Sequence, residues 1–201
     1  MRDFRSVFYI IGILLCIESL TMIFPMIVDI IYQNTDWQIF MFSSIFTFFI
    51  GSVLFVSFRS KKNKINFSQA FILTVLSWIT IAFFSSLPFI FSSANLNFTD
   101  AFFESISGIT TTGATVINNL DQLSEGILIW RSFLQWFGGI GIIVLALAIL
   151  PTLQIGGMQL LHMEHDDPYE KTLPKVGRFV FEIFLIYLFV TFLCGIFYFI
   201  A

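Results

Sequence analysis

A run of small, hydroxylated residues from Thr110 to Thr115 carries the most distinctive chemistry in this sequence. It reads Thr-Thr-Thr-Gly-Ala-Thr and directly follows a segment, Thr99 to Gly108, that is predicted to be helical. Such a backbone can lie extended and direct consecutive carbonyl oxygens to one side, and a ring of carbonyl oxygens can replace the water shell of a potassium ion. The run therefore predicts one strand of an ion filter, with an ordinary turn between two helices as the alternative.

The composition indicates that the chain lies in a lipid bilayer. Of its 201 residues 57% are hydrophobic and only 11% are charged, and the mean hydropathy is +0.90. A soluble domain cannot bury that much apolar surface. Cys16 and Cys194 lie inside apolar stretches, so no disulfide is expected. The net charge of −3 says little about partners, and no nucleic-acid partner is expected.

Five stretches are long enough to cross a hydrocarbon layer of roughly 30 Å as helices. The first is too long for a signal-peptide core and has no Ala-x-Ala cleavage site, so it is predicted to be a retained membrane helix. The predicted spans are residues 7–32, 37–58, 67–91, 127–150 and 178–200.

The basic residues predict the orientation of these spans. The loops before the first span, between the second and third, and after the fourth, together with Arg178 at the start of the fifth span, hold nine of the ten Lys and Arg residues. The loop between the third and fourth spans, residues 92–126, holds only acidic charges. Because positive loops stay in the cytoplasm, we expect a cytoplasmic N-terminus, with residues 92–126 and the end of the chain outside.

The segment that precedes the Thr-rich run is predicted to be a short re-entrant helix. Phe98 to Ile109 is apolar, and as a helix it would be only about 18 Å long at 1.5 Å per residue. Asn97 or Thr99 can cap its start, where acidic side chains are favoured. Its C-terminal end, which carries partial negative charge, would point toward mid-membrane and favour a cation there. Non-helical backbone at that depth is tolerated where it lines an ion or water path.

Three blocks of sequence resemble the Trk/Ktr superfamily of potassium transporters. Residues 103–115, Phe-Glu-Ser-Ile-Ser-Gly-Ile-Thr-Thr-Thr-Gly-Ala-Thr, resemble its first pore loop. Residues 130–142 resemble the start of the helix that follows this loop. Leu150-Pro151 and residues 155–160 resemble the next turn in the bacterial TrkH branch. The resemblance covers essentially the whole chain in the same order.

The resemblance implies an all-α polytopic membrane protein of the bacterial inner membrane. Its members carry four helix–pore-loop–helix repeats around a central pore, and two further helices precede the repeats in the TrkH branch. On this chain the implied regions are two leading helices with a basic loop (1–66), one complete repeat (67–150), a cytoplasmic loop (151–177) and the first helix of a second repeat (178–201).

The resemblance also implies potassium uptake through a filter of backbone carbonyls, and no enzyme activity or cofactor. The ion ligands would be the carbonyls of Thr110, Thr111, Thr112 and Gly113, with potassium at Thr111 and Thr112 and with Ala114 at the outer edge. Glycine at position 113 fits the potassium-selective members. The family further implies a homodimer and a cytosolic nucleotide-binding regulatory subunit.

One complete repeat supplies one filter strand, and one strand cannot surround an ion. Three interpretations of the chain follow. It is expected to be a truncated transporter subunit. It could instead be a pore-loop channel subunit that assembles from several copies, or a membrane subunit that does not conduct.

Several other residues invite a functional or a structural reading. Arg131 is expected to support the filter by pairing with Glu104 or Asp100, or by bonding pore-loop carbonyls. Glu18 lies in mid-span, where carboxylates are functional candidates, with a structural hydrogen bond on another helix or at a subunit interface as the alternative. Pro25 is expected to kink the first span.

The last two features concern the fourth span and the loop after it. The glycines of the fourth span, Gly138, Gly139 and Gly141, suit close approach of the short helix, bending under the filter or plain helix packing. The cluster around His162 and His165 suggests a membrane metallohydrolase only weakly, because it lacks the His-Glu-x-x-His spacing. A solvated polar loop is the preferred interpretation there.

Overall fold

The computed structural model describes residues 4–59, 67–149 and 173–200, and regular structure within them is helical. The cluster around His162, the lysines at 61–64 and the turn at 150–160 lie outside the described residues. The α-helices are α1 (Arg5–Thr21), α2 (Ile23–Ile31), α3 (Trp37–Ser57), α4 (Phe67–Ser85), α5 (Leu87–Phe91), α6 (Phe98–Ile109), α7 (Glu125–Ile149) and α8 (Leu173–Ile200).

Five spans among the described residues are long and apolar enough to cross a membrane, which confirms the predicted fold class. They are Arg5–Ile31, Trp37–Ser57, Gln69–Phe91, Glu125–Ile143 and Phe181–Ile200.

Proline breaks the first and third of these spans. Pro25 has no N–H to bond the carbonyl of Thr21, and the helix is interrupted at Met22. The interruption lies within one turn of Pro25, where a kink is predicted. Pro88 has the same effect, and the third span breaks at Ser86. Sequence reasoning did not predict that second break.

The helix α6 begins and ends where the sequence predicts. The side chain of Asn97 accepts a hydrogen bond from the backbone N–H of Asp100 at 2.9 Å, so Asn97 is the cap. Asp100 lies in the first turn, where the helix dipole favours a negative charge. At twelve residues the helix is about 18 Å long, too short to cross the hydrocarbon layer.

The largest apolar core joins α6 to the helices around it. Trp130 of α7 is its biggest member, and its ring meets Phe40 of α3 edge to face at 6.3 Å. Burial of such aromatic surface contributes strongly to stability. The core comprises Met22, Phe40, Phe89, Ala101, Ile127, Trp130 and Leu134.

The leading helices α1 and α3 pack closely through two glycines. A side chain at Gly12 would collide with the backbone of Gly51 and Phe55, and a side chain at Gly51 would lie tightly against Cys16, at 3.0 Å. Small residues allow this approach in membrane helices. A second apolar cluster, Val7, Ile11, Leu15 and Phe84, ties α1 to α4.

Residues 4–138 form one compact unit, and the second unit comprises residues 139–201. In the second unit, α8 exposes nearly all of its described side chains between Phe181 and Ile200. A side chain on Gly139 would meet the hydroxyl of Tyr187 at 2.6 Å, so this glycine allows close packing inside that unit.

Candidate functional site

The Thr-rich run lies directly after α6 as irregular backbone that is open to solvent. We call residues 110–116 the filter segment. All seven of its residues are exposed, whereas the next residue, Ile117, is buried. Glu104 and Ser107, the two residues of α6 whose side chains hydrogen-bond the segment, are buried. The segment thus has one open side and one side held by the protein.

The filter segment begins in the turn that ends α6. The N–H of Thr111 bonds the carbonyl of Gly108 at 2.9 Å, and the N–H of Thr112 bonds the carbonyl of Ser107 at 3.0 Å. These two bonds are those of a Schellman motif, which satisfies the free carbonyls at a helix C-terminus. The motif places Thr111 at the left-handed position, with φ 57°.

This geometry corrects the prediction of an extended backbone for the whole run. Thr111 and Gly113 both have positive φ, at 57° and 73°. Glycine adopts such angles without cost, but a β-branched residue there is uncommon and left-handed backbone costs about 1–2 kcal/mol. The expectation failed because the carbonyls at the end of α6 need N–H partners, and Thr111 and Thr112 supply them.

Glu104 joins the filter segment to the helix behind it. Its buried carboxylate accepts hydrogen bonds from the hydroxyl of Thr115 and the N–H of Val116, both at 2.6 Å. Its other oxygen lies 3.0 Å from Nε of Arg131. Of the partners considered for Arg131, the structure therefore pairs it with Glu104. The carboxylate neutralises the arginine and holds the C-terminal end of the segment at the same time.

Ser107 is a second link between α6 and the filter segment, and sequence reasoning missed it. Its buried hydroxyl donates a hydrogen bond to the carbonyl of Ala114 at 2.5 Å. A signal was present, because Ser107 follows Glu104 by three residues and such pairs share one helix face.

Gly138 allows the end of α6 to lie directly against α7. A side chain at Gly138 would overlap the backbone carbonyl of Ile109, the last residue of α6. Of the roles considered for this glycine, the contact corresponds to close approach of the short helix. From the same helix, Gln135 reaches the segment: its Nε2 would lie 3.8 Å from a side chain at Gly113.

Carboxylates from the leading helices hold the loops around α6. Asp36 accepts hydrogen bonds from the hydroxyl of Ser93 at 2.6 Å and from the hydroxyl of Ser124 at 3.0 Å. Asp29 accepts from the N–H of Gly126 at 2.8 Å, in the first turn of α7, where a negative charge is favoured. Asp29 and Asp36 thus hold the loop before α6 and the start of α7.

Glu18 lies in mid-span and has a partner on another helix. Its carboxylate accepts a hydrogen bond from the hydroxyl of Ser85 at 2.6 Å. The carbonyl of Ser85 in turn accepts from the indole N–H of Trp130 at 3.0 Å. This contact corresponds to the structural reading of Glu18, in which the side chain finds a hydrogen bond on a neighbouring helix.

The chain is similar to known cation transport proteins along most of its length. The family model described as "TrkH: Cation transport protein" matches residues 37–201. The Trk system potassium uptake protein TrkH of Salmonella typhimurium is 43% identical over 196 residues, which are 96% of this chain and 41% of that protein. The corresponding protein of Vibrio parahaemolyticus is 41% identical over 202 residues, which are 99% of this chain and 42% of that protein.

The fold is also that of a solved membrane protein. The crystal structure of the potassium transporter TrkH from Vibrio parahaemolyticus matches with a TM-score of 0.86 and 39% identity, covering 100% of this chain and 40% of that one. The chain therefore spans about two fifths of the length of these relatives.

Proposed function

The chain belongs to the TrkH family of cation transport proteins, and from that premise we propose that it supplies one wall of a potassium filter. The wall is the filter segment, and the transported ion would be held by the carbonyls of Thr110, Thr111, Thr112 and Gly113, with Ala114 at the outer edge. The observation that carries this proposal is that the segment is exposed on one side and tied to α6 on the other.

The backbone conformation supports carbonyl ligation. In a uniformly extended strand successive carbonyls point to opposite sides. Thr111 and Gly113, on either side of Thr112, have positive φ. Positive φ at alternate residues reverses alternate peptide planes, which favours carbonyl oxygens on one side of the backbone. Such carbonyls can replace the hydration shell of potassium. The tolerated strain at Thr111 is of the kind that occurs at functional sites.

The charges around the segment also favour a cation. The C-terminal end of α6, with its partial negative charge, directly precedes the segment. Arg131 would repel a cation if it were free, but it is paired with Glu104. The predicted roles of Glu104 and Arg131 as filter supports are consistent with this pairing.

The mechanism that we propose is permeation, with no enzymatic step and no cofactor. One strand provides ligands from one side only, whereas filters are built as rings. The remaining walls would come from further pore loops, as in the longer relatives, or from further copies of this chain.

The setting that we propose is the bacterial inner membrane, with a cytoplasmic N-terminus and the filter segment opening to the outside. The absence of Lys and Arg between 92 and 126 supports that orientation. A homodimer and a cytosolic nucleotide-binding regulatory subunit are the partners that the family resemblance suggests.

Growth of a potassium-uptake-deficient Escherichia coli strain at low potassium tests the proposal. The chain is expressed alone and as a chimera in which it replaces the matching N-terminal part of the Vibrio parahaemolyticus relative. We expect at least the chimera to restore growth and ⁸⁶Rb⁺ uptake, and Gly113→Asp to abolish both. The control Asn118→Asp adds the same charge at an exposed position outside the segment and should leave uptake intact. A chimera that reaches the membrane without transporting Rb⁺ would refute the proposal.

A further inference from the structure

Ser107 is placed to fix the shape of the filter segment. Its hydroxyl donates to the carbonyl of Ala114 at 2.5 Å. Its own carbonyl accepts from the N–H of Thr112 at 3.0 Å and from the N–H of Gly113 at 3.3 Å. One residue thus contacts three consecutive residues of the segment.

The contacts of Ser107 begin directly after the strained residue of the segment. Thr111 lies just before them, with φ 57°, and Gly113 lies within them, with φ 73°. A β-branched residue leaves the left-handed region unless its surroundings hold it there. The bonds to Ser107 oppose that relaxation from the far side, since they fix Thr112, Gly113 and Ala114 against α6.

The position of the hydroxyl is itself well defined. Ser107 is only 4% exposed, so water does not readily replace the Ala114 carbonyl as its partner. Its neighbour one turn toward the helix start, Glu104, holds Thr115 and Val116. The two side chains attach successive parts of the segment to one face of α6.

We propose that Ser107 is a positioning residue that sets the ion selectivity of the filter segment. The inference rests on the proposed function. By holding the carbonyl of Ala114 toward α6, the hydroxyl fixes the outer limit of the segment and prevents the carbonyls before it from closing around a smaller ion. Loss of the hydroxyl should therefore admit Na⁺ and not merely lower activity.

Two substitutions on the same helix separate this role from simple stability. Ser107→Ala removes the contact with Ala114. Ser105→Ala is the matched control, because Ser105 is also buried but its hydroxyl bonds the carbonyl of Ala101 within α6, at 3.0 Å, and not a carbonyl of the segment. Ser107→Cys keeps the side-chain size with a weaker donor, so it tests the bond if the alanine variant folds poorly.

The first measurement is inhibition of ⁸⁶Rb⁺ uptake by Na⁺ in the chimera. We expect Ser107→Ala to need about tenfold less Na⁺ for half-inhibition, a change equivalent to about 1.4 kcal/mol, with a smaller shift for Ser107→Cys and none for Ser105→Ala. Unchanged Na⁺ inhibition in both Ser107 variants, with Rb⁺ uptake intact, would overturn the inference and leave the proposed function standing.

The second measurement needs no transport. Amide hydrogen exchange of residues 110–116 in the purified 201-residue chain should be faster in Ser107→Ala than in Ser105→Ala. If the unsubstituted chimera does not carry Rb⁺, the proposed function fails. The exchange rates of the two variants still decide whether Ser107 orders the segment. Equal exchange in the two variants would refute the ordering role.

Discussion

Nε of Arg131 lies 3.0 Å from the carboxylate of Glu104, which is fully buried and also holds two residues of the filter segment. The ion pair joins α7 to α6 across 27 positions of sequence. It places a neutralised charge pair behind the segment, and so it couples the packing of two helices to the geometry of the exposed backbone.

The Glu104–Arg131 pair should behave as a unit. Glu104→Gln leaves Arg131 mostly buried without a counter-ion, and breaking a buried pair in this way costs roughly 3–5 kcal/mol. We expect each single variant, Glu104→Gln or Arg131→Gln, to lower the thermal stability in detergent and the Rb⁺ uptake of the chimera. The double variant should be less destabilised than the sum of the two. Additive losses would show that the two side chains are not coupled.

Gly138 should tolerate no side chain. Gly138→Ala would push a methyl group into the backbone carbonyl of Ile109, and overpacking of this kind costs about 1–3 kcal/mol. Because Ile109 ends α6, we expect reduced uptake as well as reduced stability. Gly195→Ala is the control, since nothing lies within 4 Å of that position, and it should be neutral or slightly stabilising. Equal behaviour of the two variants would contradict the close contact.

Asp36 should hold the loop before α6 and the start of α7 together. Asp36→Ala leaves the hydroxyls of Ser93 and Ser124 without their acceptor. A buried polar group that loses its partner lowers the free energy of unfolding by about 1–3 kcal/mol. We expect faster amide exchange in both loops, residues 92–97 and 123–126. The exposed Asp121 provides the control, and Asp121→Ala should leave both loops protected. Protection that survives Asp36→Ala would show that other contacts fix the loops.

The orientation of the chain can be tested by cysteine labelling. In a variant with Cys16 and Cys194 replaced by alanine, a cysteine at Asn118 should react with a membrane-impermeant maleimide in intact spheroplasts. A cysteine at Arg59 should react only after permeabilisation, because the lysines that follow it predict a cytoplasmic position for that loop. Both positions are exposed. The opposite labelling pattern would invert the predicted topology.

The sequence was sufficient for features that depend on local pattern. The five apolar spans follow from hydropathy, the start of α6 follows from Asn97, and the interruption at Met22 follows from Pro25. Each of these depends on a few neighbouring residues and the physics of helix ends.

Features that depend on contacts between distant segments were not predicted. Nothing near Asp36 in the sequence indicates that it binds Ser93 and Ser124. The left-handed conformation of Thr111 was missed because β-branched residues normally avoid it. It arises from the need of the carbonyls at the end of α6 for partners, and the Ser107 contact depends on that same turn.

Anomalous diffraction from crystals of the chimera grown in Rb⁺ tests the central claim most directly. If the filter segment is one wall of an ion filter, Rb⁺ density should lie beside the carbonyls of Thr110 to Gly113. No comparable density is expected at the buried carboxylates of Glu18 and Asp29. Rb⁺ bound at those carboxylates and absent from the segment would contradict the claim.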